Sequence, residues 1–318
     1  MAAATRIRWK ADVPLSAIHA ARVVAVGAPC NDEKLERALV PFVTEINGRL
    51  LTSSIDIRLF WNQLVSDVLR FDSVDRACET SLVASGCSEL QADQTSRGIV
   101  RQLDECRLAL TQRFPRLGDQ LELRANPIKD RWESVGPGLL NAIAKQIWKD
   151  ATPKTWWSPR LDARLVQPVR GGDGGFGPQG IAFWIEALLT DVDPRVPEVL
   201  RVAWLITRGA IEKHVAEKST DVPAATPDSR TASGIRPIRL LPAWAFASVP
   251  LTLHAAAELD MIPAENLPIA EAIERWRLSK GPMAGDIVSR WWNDFQSHPL
   301  PLPVALKTLL QALERGGE

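Results

Sequence analysis

A net charge of either sign is absent from this sequence. Its 38 lysines and arginines are matched by 38 aspartates and glutamates, and each half of the chain is balanced as well. Proteins that bind the nucleic-acid backbone or an anionic membrane usually carry a basic half, stripe or tail. The even balance therefore predicts that this protein binds no nucleic acid.

Residues that bind metals are scarce. The chain has four cysteines and four histidines, without a CxxC pair or a histidine at metal-ligand spacing. We therefore expect no metal site and no cofactor. Cysteines of this kind are typical of small buried side chains in a reducing compartment; they are Cys30, Cys78, Cys87 and Cys106.

Long apolar runs are missing too. A membrane span needs about 18 or more consecutive apolar residues, and the best N-terminal candidate, residues 18–26, is interrupted by His19 and Arg22. The sequence predicts no membrane span and a cytoplasmic protein.

Tyrosine is absent, whereas tryptophan occurs twelve times. Tryptophan rings could serve as stacking platforms, but a GC-rich genome would produce the same composition and is the simpler interpretation. Trp156 and Trp157 stand outside any helical repeat of apolar residues. They are candidates for an exposed contact with a protein partner, or equally for a plug between two halves of the chain.

The apolar residues that are present recur mostly at helical spacing. The sequence predicts a mainly α protein of two helical halves, with at most a small β element near residues 21–26 or 162–170. The run 199–206 is apolar around its whole circumference and should be a central helix. A short helix is expected to begin at Asn126-Pro127 and to end at Gly136-Pro137-Gly138, because these residues are typical of helix termini.

Composition also suggests where domains begin and end. A segment rich in helix-breaking residues, 151–160, predicts a linker between an N-terminal helical domain, 1–150, and a C-terminal helical domain, 161–318. Within the second domain we expect a mobile polar loop at 219–237 and a glycine-rich loop at 171–180.

The glycine-rich loop is the most unusual segment, with six glycines in ten residues. Such a loop allows a ligand to approach the backbone closely. It also matches GxGxxG, but the strand–loop–helix context of a dinucleotide site is lacking. Its candidate ligand-binding residues are Gly172, Gly174, Gly175, Gly177 and Gln179.

Four side chains are candidate acids or bases. Asp173 lies inside the glycine-rich loop, and Glu186 lies in an apolar run where burial would raise its pKa. His254 and Glu258 are four residues apart on a helical run and could share a face. A zinc protease would need a second histidine there, so His254 fits a core position better.

Two functions remain open. Apolar helical stripes are plentiful and clustered catalytic groups are not, which favours a non-catalytic interaction or scaffold protein with an unknown protein partner. The alternative is an enzyme or binding protein for a small ligand held by residues 171–180.

Overall fold

The protein is mainly helical, as the sequence predicts. The structure, a computed structural model, describes residues 5–177, 180–220, 240–278 and 282–316, without the side chains of 218–220 and 282. The structure is 66% helical over the residues that it describes. Its described helices are α1 Val13–Ala25, α2 Glu33–Thr52, α3 Ile57–Asp67, α4 Val74–Ala84, α5 Glu89–Arg113, α6 Leu117–Trp148, α7 Glu198–Thr220, α8 Leu241–Glu258, α9 Ile269–Arg275, α10 Pro282–Ser297 and α11 Leu302–Arg315.

Four strands form one small sheet. They are β1 Arg6–Ala11, β2 Arg160–Val166, β3 Gly174–Phe176 and β4 Ala182–Glu186, in the order β1-β2-β4-β3. The pair β2 and β4 is parallel, and β3 pairs antiparallel with β4. Every residue of β4 is buried, as is usual for an inner strand covered on both faces.

Of the two alternative positions predicted for a small β element, the structure has a strand at the second and a helix at the first. Residues 160–166 form β2, whereas residues 21–25 belong to α1. The helix is fixed at its start, where the Asp12 side chain accepts a hydrogen bond from the Leu15 amide at 2.9 Å. An N-cap and the buried face of α1 thus outweigh the β preference of its three valines near residues 23–26.

The short helix expected to begin at Asn126-Pro127 and to end at Gly136-Pro137-Gly138 is also wrong. Helix α6 runs from Leu117 to Trp148 through Pro127 and Pro137. Each proline removes a helical hydrogen bond, but a long apolar stripe compensates by burial. Its fully or almost fully buried members include Leu121, Ala125, Trp132, Leu139 and Ile143.

The chain divides into two compact units. The sheet unit comprises residues 7–129 and 160–189, and the helical unit comprises 1–6, 130–159 and 190–318. Both are discontinuous in sequence, unlike the expected division at 151–160, which stays a prediction. Of the expected mobile loop, residues 219–220 belong to α7 and the remainder lies outside the described residues.

The helical unit has the central helix that the sequence predicts. Residues 199–206 of α7 are all buried, and this includes Arg201, whose Nε donates to Glu198 at 2.9 Å. Trp204 on the same helix stacks on Trp276, with 5.1 Å between ring centroids.

Gly285 allows α10 to approach α9 closely, and this predicts the effect of a single methyl group. A Cβ at Gly285 would lie 2.6 Å from the Ala270 Cβ and 2.8 Å from its Cα. We expect Gly285→Ala to lower the free energy of unfolding by about 1–3 kcal/mol, since the backbone must shift. The measurement is chemical denaturation followed by circular dichroism.

The matched control is Gly118→Ala on α6, where a Cβ would meet nothing within 4 Å. That substitution should raise the free energy of unfolding by up to about 1 kcal/mol. Equal effects of the two substitutions would contradict the packing described for α9 and α10.

Candidate functional site

The glycine-rich segment is part of the sheet rather than an open loop. Residues 174–176 form β3, in which Gly175 pairs with Trp184 of β4. A Cβ at Gly175 would lie 2.7 Å from the indole nitrogen of Trp184. This glycine is therefore explained by packing against β4. The candidate Gln179 lies outside the described residues.

The amides ahead of β3 surround one carboxylate. Glu186, the last residue of β4, accepts hydrogen bonds at Oε1 from the amides of Val169 and Arg170, both at 2.8 Å. Its Oε2 accepts from the amides of Gly172 at 2.7 Å and Asp173 at 3.0 Å. We call this arrangement the Glu186 nest, since successive amides form a concavity that binds an anion.

Two adjacent glycines give the Glu186 nest its curvature. Gly171 has φ 74° and Gly172 has φ 137°, values that residues with a Cβ rarely adopt. The parallel pairing of β2 and β4 also contributes, because it brings the carboxyl ends of both strands to one edge of the sheet.

A buried histidine completes the nest. His19 Nε2 lies 2.9 Å from Glu186 Oε1, and neither side chain is exposed to solvent. Its ring packs on Trp184 with 4.5 Å between centroids. The Nδ1 atom of His19 has no hydrogen-bond partner among the described residues.

These contacts reverse the direction of the pKa shift expected for Glu186. Burial alone raises the pKa of this carboxyl group, but the hydrogen bond and charge of His19, with the amides of Gly172 and Asp173, outweigh it and lower the pKa to about 2. The sequence-based expectation of a raised pKa is wrong, because the identity of the atoms around the carboxylate could not be deduced from the apolar run. Glu186 is thus held as a carboxylate at neutral pH.

Asp173 is also bound within the protein. Its Oδ2 accepts from Arg22 Nη2 at 2.6 Å and from Arg170 Nη1 at 2.9 Å, and its Oδ1 accepts from the Gly174 amide at 2.9 Å. The Gly172 and Gly174 amides proposed for a ligand therefore donate to carboxylates of the chain itself.

Sequence reasoning missed the contribution of α1. Ser16 Oγ accepts from the Gln167 amide at 3.1 Å, while His19 contacts Glu186 and Arg22 contacts Asp173. These three α1 residues recur every three positions, which is the spacing of one helical face. That polar stripe was visible as the interruption of an apolar run, but its partners are about 150 residues away in sequence.

The remaining acid–base candidates lie elsewhere. Asp173 and Glu186 share the nest in the sheet unit, whereas His254 and Glu258 belong to α8 of the helical unit. His254 Nε2 lies 3.4 Å from Glu258 Oε1, with the two side chains 36% and 48% exposed. The pair is partly exposed on one helix face, so the expected core position of His254 is wrong.

The tryptophan pair is split between two environments. Trp156 is only 4% exposed and packs against Trp148 at 5.2 Å and Trp157 at 5.6 Å between ring centroids. An exposed partner contact at Trp156 is therefore wrong, while Trp157 is partly buried against the same cluster. The plug between two halves stays a prediction.

An open groove lies on the sheet unit between α2 and α5. Its volume is about 520 Å³, within the range of small-molecule sites. Its lining is mostly polar and consists of Glu45, Gly48, Arg49, Thr52, Ser53, Gln94 and Thr95. We call it the α2–α5 groove. Nothing in the sequence indicated it, because its two walls are separated by two intervening helices.

The described residues contain neither a candidate membrane span nor a candidate metal site. No helix among them combines the length and apolar character that a bilayer span requires. Nor do three or more of their His, Cys, Asp and Glu side chains form a group that could hold a metal ion.

No family model matches the chain, and no curated protein or solved structure matches it either.

The Glu186 nest predicts a large effect of removing one charge. In Glu186→Gln the side-chain NH₂ would face amide donors, so buried donors would lose their acceptor. We expect the free energy of unfolding to fall by about 3–5 kcal/mol. The control Glu45→Gln, at an exposed ion pair, should change it by less than about 1 kcal/mol. Comparable losses in denaturant titrations would contradict a special role of the nest.

The lowered pKa of Glu186 also predicts how stability depends on pH. Its folded value of about 2 lies below the ordinary 4.5, so its carboxylate stabilises the fold fully above pH 4.5. That contribution, roughly 3 kcal/mol, is lost as the pH falls towards 2. Denaturation of the wild-type protein between pH 2 and 5 should show a steeper stability gain than that of Glu186→Gln. Parallel curves would contradict the assignment.

Proposed function

We propose that this protein is a non-catalytic binding protein whose recognition site is the α2–α5 groove. The observation that carries the proposal is an open groove of about 520 Å³ that is lined by polar side chains from two packed helices. Sites of this size built on rigid elements are the usual places where small molecules or short segments of a partner bind.

The glycine-rich segment is the weaker candidate for the same role. A ligand there would have to displace Glu186 from Gly172, or Asp173 from Gly174 and two arginines. Because buried charged hydrogen bonds are costly to break, we assign the nest to structure. We assign recognition to the groove.

The polar lining supports binding of a partly polar ligand. Glu45 and Arg49 form an ion pair at 2.8 Å with both side chains 45% exposed, so water reaches them. Thr52 Oγ1 donates to the Gly48 carbonyl at 2.9 Å, and its lone pairs stay available to a donor on the ligand.

Filling the groove tests the proposal. A Cβ at Gly48 would meet nothing within 4 Å, so Gly48→Leu should occupy groove volume without a clash. In a thermal-shift screen of amino acids, sugars, organic acids, amines and nucleotides, we expect at least one compound to raise the Tm of the wild type. The same compound should leave the Tm of Gly48→Leu unchanged, because the ligand and the leucine would need the same space.

The control is Gly118→Leu, at another helical glycine with open space around its Cβ position. It should respond to the compound as the wild type does. The proposal fails if active compounds stabilise Gly48→Leu equally well, or if no compound class raises the Tm of the wild type.

A further inference from the structure

The side chain of Arg49, which lines the α2–α5 groove, packs against Gly98 of α5. A Cβ at Gly98 of α5 would lie 2.6 Å from Arg49 Nη1, 3.0 Å from Cζ and 3.3 Å from Nε. The guanidinium group therefore rests directly on the helix backbone at Gly98. A glycine inside a helix costs about 1 kcal/mol relative to alanine, and the seat for Arg49 explains its presence.

Arg49 keeps donors free for a ligand. Its Nη2 donates to Glu45 at 2.8 Å, and this is the one hydrogen bond that the Arg49 side chain makes to a described residue. The Nε and Nη1 groups donate to no described residue, and each can give a hydrogen bond to an anion; a carboxylate held by two parallel hydrogen bonds would use one of them together with the second N–H of Nη2. Ser53, Gln94 and Thr95 line the same groove and add uncharged polar groups.

The lining of the groove carries one charge of each sign. Glu45 and Arg49 are the ionisable residues of the lining, so the charges of the lining cancel. A singly charged carboxylate would find one cation and limited repulsion from Glu45. A doubly charged phosphate would need a second cation to balance its additional charge, and Arg49 is the one cation of the lining.

An apolar side chain stands next to this polar lining. Leu90 is 96% exposed and precedes Gln94 by one turn on α5, which places both residues on the same helix face. A leucine this exposed gains free energy when an apolar group covers it.

Resting on the proposed function, we infer that the α2–α5 groove binds a carboxylate that carries an apolar group, with Arg49 as the anion-binding residue and Leu90 as the apolar contact. Two sources offer this chemistry, namely a free aliphatic carboxylic acid and the C-terminal residue of a peptide. Hexanoate represents the first source and N-acetyl-leucine represents the second.

The experiment follows the Arg49 Nε–H signal in ¹H–¹⁵N spectra of the full chain. The matched control is the Arg37 Nε–H signal, because Arg37 makes the same kind of ion pair with Glu33 on α2 but both side chains are 80% exposed. Arg49→Gln and Arg37→Gln assign the two signals by their loss. We expect hexanoate or N-acetyl-leucine to shift Arg49 saturably while Arg37 stays in place, and the tighter probe identifies the source.

Two variants test the proposed contacts with the better probe. Gly98→Ala should displace Arg49 from its seat, and we expect roughly tenfold weaker binding with unchanged or higher stability. Leu90→Ser should weaken binding about fivefold. Unchanged affinity in both variants would overturn the inference, because neither proposed contact would then contribute.

Uncharged N-acetyl-leucinamide and cationic hexylamine show whether a failure of the inference is also a failure of the proposed function. If neither carboxylate shifts Arg49, or if both shift Arg37 equally, the inference fails. If the amide or the amine then perturbs the groove signals instead, the groove is still a binding site and the proposed function stands. If all four probes leave the groove unperturbed and the thermal-shift screen also fails, both proposals are overturned.

Discussion

Glu186 is a buried carboxylate on which the local structure of the sheet unit depends. Four backbone amides and one histidine converge on its two oxygens. Leaving such a charge without partners would be very costly, and this cost fixes the path of the chain at residues 169–173. The positive φ angles of Gly171 and Gly172, the short strand β3 and the position of His19 on α1 all serve the same carboxylate.

The partners of Glu186 also explain why the glycine-rich segment, which looks functional in the sequence, is not the surface that we propose as functional. That surface is the α2–α5 groove. Six glycines suggested a cradle for a ligand, but the chain supplies its own anions, Glu186 and Asp173, to the amides and arginines there. The α2–α5 groove has the opposite character. It is open, its charged pair is half exposed, and Arg49 retains hydrogen-bond donors that no described residue accepts from.

Glycine has a different physical role in each place. At Gly171 and Gly172 the backbone angles require it, whereas at Gly175, Gly98 and Gly285 the absence of a Cβ lets another group approach closely. The groups that approach are an indole, a guanidinium and a second helix. Close approach to a glycine is the role that matters for the groove, because it places the Arg49 guanidinium against Gly98. The Nε and Nη1 groups of Arg49 donate to no described residue.

Local sequence patterns determined the class of the fold. Helical spacing predicted a mainly α protein, the all-apolar run 199–206 predicted a buried central helix, and a small β element expected near residues 162–170 overlaps β2. These features depend on neighbours within a few turns, which a sequence displays directly. The tertiary structure decided the rest. Burial of a long apolar stripe kept α6 intact through two prolines, and a capped, buried α1 formed where valines favoured a strand. The partners of Glu186, and the meeting of Arg49 with Gly98, join residues that are far apart in the chain, so their contacts exist only once the helices and strands have packed.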